Sequence, residues 1–138
     1  VSSRLSIVLA NDPSEIVRLV ELVEAFTLEL GVASDAAYAM TLSLDEMAAN
    51  SIRHAYGAGA DRQVWVELTV GPHGLVATVT DEGPPFNPLE ADAPNLDLPL
   101  LDRPIGGLGI HIVMTMMDEV SYARVDERNV VTLRKALG

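Results

Sequence analysis

The segments VWVELTV (64–70) and LVATVTD (75–81) are separated only by Gly71-Pro72-His73-Gly74. A link that short cannot carry a crossover, so the two strands must pair antiparallel. EVSYARV (119–125) and NVVTLRK (129–135) repeat the arrangement across Asp126, Glu127 and Arg128. RLSIVLA (4–10) places Leu5, Ile7 and Leu9 on one face and reads as a further strand. Two hairpins and a lone strand commit the chain to a sheet that needs one covered face.

Helices supply the cover. After the first strand, Asp12-Pro13-Ser14-Glu15 has the form of a helix start, with Asp12 as cap, Pro13 in the first turn and Glu15 closing a capping box. Ile16, Leu19, Val20, Val23 and Phe26 form its apolar stripe, and Gly31 ends it after Leu30. A second helix, capped by Ser34 or Asp35, turns Met40, Leu44 and Met47 inward and ends near Gly57, before the loop GAGAD (57–61). From 82 to 105 periodicity vanishes, and six of the chain's eight prolines fall there. A loop that long inside a compact domain is usually functional or disordered. GGLGIHIVMTMMD (106–118) then opens a third helix on a glycine turn. The expected fold is α+β: a two-layer α/β sandwich, its sheet mixed but mostly antiparallel, with the helices on one face. The 138 residues suit one domain, 1–138, with a proline-rich loop at about 82–109.

Three groups of residues point to chemistry. Glu46, Asn50 and His54 recur every four residues and so share one face of the second helix. Taken alone, such a row is ordinary on a solvent-facing helix. Asn50 can also complete a magnesium shell beside phosphate oxygens, Glu46 can accept a proton, and Arg53 can reach a phosphate. Asp81-Glu82-Gly83-Pro84-Pro85 ends a strand of buried type. A carboxylate there needs donors, which a purine amino group would supply, and Gly83 would let the ring approach the backbone. The plain reading is a turn. Gly106-Gly107-Leu108-Gly109-Ile110 opens a helix whose N–H groups favour phosphate, although it is neither a Walker loop nor a dinucleotide fingerprint. Together the three divide the work of gripping a nucleotide: base at Asp81, metal at Asn50, phosphates at the glycine turn.

The bulk numbers limit the partners. A net charge of -11 repels nucleic acid and favours a basic protein partner, and it makes magnesium useful to any phosphate ligand. Cysteine is absent, which fits a reducing cytoplasm and excludes thiolate metal sites. No apolar run is long enough to span a bilayer, and no signal peptide is evident.

In this order the motifs resemble the ATPase superfamily of gyrase, histidine kinases, MutL repair proteins and heat-shock chaperones. DEGPPFNP, RPIGGLGIHIV, MDEV and NVVTLRK are similar, more narrowly, to the stand-alone anti-sigma-factor serine/threonine kinases of bacterial partner switching. The resemblance implies ATP and magnesium as cofactors, with Asn50 the metal ligand and Glu46 the general base. It implies Asp81, Gly83 and Pro85 around adenine, Thr132 as a further adenine contact, and Gly106, Gly107, Leu108, Gly109 and Ile110 in a lid. It also implies a cytoplasmic homodimer that phosphorylates an anti-anti-sigma protein and sequesters a sigma factor. A partner-capture module without phosphoryl transfer is the alternative. A histidine-kinase catalytic domain would be expected to follow a dimerisation helix pair, and a gyrase-like clamp would need a transducer domain.

Overall fold

The computed structural model describes residues 2–55, 62–90 and 107–137. Five strands and three helices follow in the order β1 (Ser3–Ala10), α1 (Glu15–Glu29), α2 (Ser34–His54), β2 (Gln63–Gly71), β3 (Gly74–Asp81), α3 (Gly107–Met116), β4 (Glu119–Val125) and β5 (Arg128–Lys135). Pro88–Glu90 adds one 3-10 turn. The strands form a single sheet in the order β1-β2-β3-β5-β4, and every pairing is antiparallel. The allowance for parallel pairing is therefore not used among the described strands. Both hairpins are as the turn signals require.

Strand alternation sorts the side chains into two faces. Ile7 and Leu9 of β1, Val64, Val66 and Leu68 of β2, and Ala77 and Val79 of β3 are buried against the helices. The helices bury Leu19, Val23, Met40, Leu44 and Met47 in return. Full burial of one such side chain favours folding by roughly 1.5–3 kcal/mol. Ile110 of α3 packs its side chain into this core, at 6% exposure. A contact of Ile110 with phosphate would accordingly be made by its backbone N–H, not by its side chain. No helix among the described residues is long and apolar enough to cross a membrane.

Helix ends depart from expectation in one respect. The residue before α1 is Ser14, not Asp12, and the one before α2 is Ala33, not Ser34 or Asp35; neither makes a side-chain cap bond. Asp12 and Pro13 form a turn of their own, in which Asp12 Oδ1 accepts the N–H of Ser14 at 2.9 Å. Glu15 Oε1 reaches back past that turn to the N–H of Ala10 at 3.0 Å, tying α1 to the end of β1. The end of α1 is as read. Gly31 takes a left-handed φ of 69°, and the N–H groups of Gly31 and Val32 bond the carbonyls of Leu28 and Thr27. This is the Schellman arrangement, and it turns the chain directly into α2. The loop 57–61 and Pro94, Pro99, Pro104 and Gly106 lie outside the described residues.

Candidate functional site

The C-terminal half of α2 lies over the ends of β3 and β5. Asn50, Ser51 and His54 from α2, Asp81 from β3, and Asn129 and Val131 from β5 meet around one small cavity. Phe86, from the segment after β3, closes it toward solvent. The interior has room for about one water, about 10 Å³.

Asn50 is 6% exposed, yet no described residue hydrogen-bonds its side chain. Its amide atoms are not sealed off, because among the described residues the fully buried side-chain polar atom without a partner is Ser43 Oγ; they open on the cavity and are available to a ligand there. Its neutral oxygen suits a hard cation that takes its other ligands from phosphate and water. The residues present therefore fit magnesium. No cluster of three or more acidic, histidine or cysteine side chains suited to a metal occurs among the described residues.

Asp81 is 5% exposed and held by two donors. Asn129 Nδ2 reaches Asp81 Oδ1 at 2.8 Å, and the N–H of Gly83 reaches the same oxygen at 3.0 Å. Oδ2 has no donor among the described residues. Gly83 has a different reason from the one expected. A Cβ there would lie 2.6–2.7 Å from the backbone and Cβ of Ala55. The glycine admits the end of α2. Pro85 is exposed beside it.

Glu46 lies one turn before Asn50 and is half-buried. Burial raises its carboxyl above the ordinary value of 4.5, the neighbouring Asp45 raises it further, and the Arg53 cation partly opposes both. Asp45 is raised by burial alone. Gly109 of α3 sits directly against Glu46: a Cβ at that position would overlap Glu46 Oε2. The helix opened by the glycine turn thus abuts the candidate base, with Gly107 and Leu108 in its first turn. Arg53 and His54 are exposed in the last turn of α2.

Thr132 is not part of this assembly. It pairs with Thr78 and Ser121, on the sheet face away from the helices. Period-two alternation gives the reason. Val131 and Leu133 face the helices, so Asn129 does too and Thr132 cannot. Asn129 is the residue that sequence reasoning missed. All of its polar capacity is used: Nδ2 donates to Asp81 and to the carbonyl of Pro84 at 2.9 Å. Its Oδ1 accepts from Tyr122 Oη at 2.5 Å and from the N–H of Phe86 at 3.2 Å. Arg124 Nη1 adds a bond to the Gly83 carbonyl at 2.7 Å.

Comparison with known proteins agrees with this geometry. The histidine kinase-like ATPase domain model matches residues 9–135. The serine/threonine-protein kinase BtrW of Bordetella bronchiseptica is 29% identical over 96 residues, 70% of this chain and 68% of that protein. Among solved structures, the RsbU and RsbW domains of Rv1364c from Mycobacterium tuberculosis superpose with a TM-score of 0.72 at 14% identity. That match covers 98% of this chain and 32% of the other, so the chain spans about a third of that structure. The histidine kinase domain of the blue-light activated kinase EL346 from Erythrobacter litoralis gives 0.57 at 17% identity, covering 91% and 64%. With its antiparallel sheet under three helices and a family match over most of its length, the chain belongs to the histidine kinase-like ATPase domain family.

Proposed function

We propose that the chain is an ATP-dependent serine/threonine protein kinase that acts as an anti-sigma factor. In this reading it phosphorylates an anti-anti-sigma protein and sequesters a sigma factor, as a cytoplasmic homodimer. The observation that carries the nucleotide part is Asn50: an amide that no described residue hydrogen-bonds, lining the same cavity as the Asp81 carboxylate. Similarity to BtrW, a serine/threonine-protein kinase, supports the transfer reaction.

Each residue then has a physical task. Asp81 Oδ2 accepts the adenine amino group, while Asn129 holds the carboxylate in place. Asn50 holds magnesium, which supplies neutralisation of phosphate charge when bound. The first turn of α3, with Gly107 and Leu108, offers N–H groups to the phosphates, and Gly106, which precedes it in sequence, is assigned to the same group. Arg53 adds positive charge on the same side. Glu46 takes the proton from the attacking hydroxyl, and its raised pKa makes it a stronger base than an exposed glutamate. Phosphoryl transfer asks chiefly for positioning and charge stabilisation, which this set provides.

The test uses labelled ATP, magnesium and a candidate anti-anti-sigma protein. Label on a serine or threonine of that protein is the expected result. Tight ATP binding without transfer would favour a capture module, and no binding of adenine nucleotide would end both readings. Asn50→Ala is expected to weaken magnesium-dependent ATP binding at least tenfold (about 1.4 kcal/mol).

A further inference from the structure

Phe86 is in an unusual position for a large apolar side chain. It is 39% exposed, and its ring stacks on that of His54, with centroids 5.0 Å apart and planes 17° apart. His54 lines the cavity from the α2 side, and Phe86 lines it as well. Between them and the Asp81 carboxylate there is space for a water but not for a purine. The stack is held from behind. The Phe86 N–H bonds Asn129 Oδ1, and the Pro84 carbonyl bonds Asn129 Nδ2, the same group that bonds Asp81.

We propose that Phe86 and His54 are base-selecting residues: a nucleotide enters by displacing the Phe86 ring from His54 and lays its own base against the freed imidazole. This rests on the ATP reading above and adds to it a ring that the base must replace. One aromatic contact is exchanged for another, so the exchange favours ligands with a flat ring. The base alone also brings a donor for Asp81, which the phenyl ring lacks. Asn129 is a positioning residue in this scheme, because it fixes both the carboxylate to be read and the turn that carries the competing ring.

A ring that occupies the site most of the time lowers the association rate by the fraction of time that the site is open. A stacked aromatic pair corresponds to a factor of about 2 to 12 in that fraction. Stopped-flow association of a fluorescent ribose-labelled ATP, with magnesium, measures it. Phe86→Ala is expected to associate about 2 to 12 times faster than the parent, and Phe86→Tyr to restore the parent rate. His54→Ala should associate faster and also dissociate faster, since the base loses its platform. In nucleotide-free protein, the ring current of Phe86 should shift the His54 imidazole proton resonances upfield relative to Phe86→Ala, whereas with ATP bound the base stacks on His54 in both proteins and their His54 resonances should converge. Equal association rates in parent and Phe86→Ala would overturn the proposal while leaving ATP binding intact. Identical His54 resonances in the two nucleotide-free proteins would overturn it whether or not nucleotide binds. A parent that takes up no nucleotide would overturn the ATP reading, and the displacement with it.

Discussion

Glu46 shows how burial tunes one side chain. Its folded pKa lies above the ordinary 4.5, so the folded protein binds that proton more tightly than the unfolded chain. The associated stability is complete below 4.5 and is lost as pH rises through the raised folded value. Glu46→Gln removes this penalty. Its melting temperature is expected to exceed the parent's at pH 7 and to converge with it below about pH 4.5, as followed by circular dichroism. Phosphoryl transfer by the same variant should be lost, and the parent's activity should fall on acidification earlier than an ordinary glutamate would allow. Gly109→Ala separates positioning from stability. The new methyl group meets only the flexible end of Glu46, so the fold should lose less than about 1 kcal/mol in urea unfolding. Transfer should fall sharply, because the carboxylate must turn away. At this scale the sharing of one helix face by Glu46 and Asn50 was legible from their spacing, and the burial of Asp81 from the strand it ends. Thr132 faces away from the cavity because the strand alternates. Val131 and Leu133 were apolar in the sequence, and counting back by two from either reaches Asn129.

At the level of elements, the turn between β4 and β5 is the clearest strained feature. Asp126 and Glu127 both have positive φ, 50° and 64°, as a two-residue hairpin of the primed type requires. Aspartate tolerates this; glutamate does so at a cost of about 1–2 kcal/mol. Glu127→Gly is expected to stabilise the fold by about 0.5–1 kcal/mol after its own entropic cost, read as a higher urea midpoint with an unchanged slope. The join between β3 and α2 is the opposite case. Gly83→Ala forces a methyl group into the Ala55 backbone and should destabilise by about 1–3 kcal/mol, with weaker ATP binding because Asp81 Oδ1 loses a well-placed donor. The hairpins and the inner faces of the helices were readable because their periods are local. The helix starts were not, since Asp12 bonds Ser14 in a turn of its own before α1 begins. Nor was the placing of β5 between β3 and β4, which depends on packing between segments far apart in the chain.

For the whole molecule the governing quantity is its charge of -11. Such a field opposes a free nucleotide and is weakened by salt. Without magnesium, ATP affinity is therefore expected to increase when salt is raised from about 0.05 M to about 0.3 M, the reverse of the usual trend for phosphate ligands. With magnesium the dependence should flatten. Isothermal titration at the two salt levels checks both statements.

The sheet order also governs how the molecule is made. β5 follows every other element of this chain, yet it lies inside the sheet and brings Asn129 to the cavity. Until β5 docks, β4 has no neighbour to join and Asp81 lacks its Asn129 clamp. A folding intermediate in which β5 is still undocked therefore lacks both the outer strand pairing and the Asp81–Asn129 contact, so edge and cavity are completed in one step.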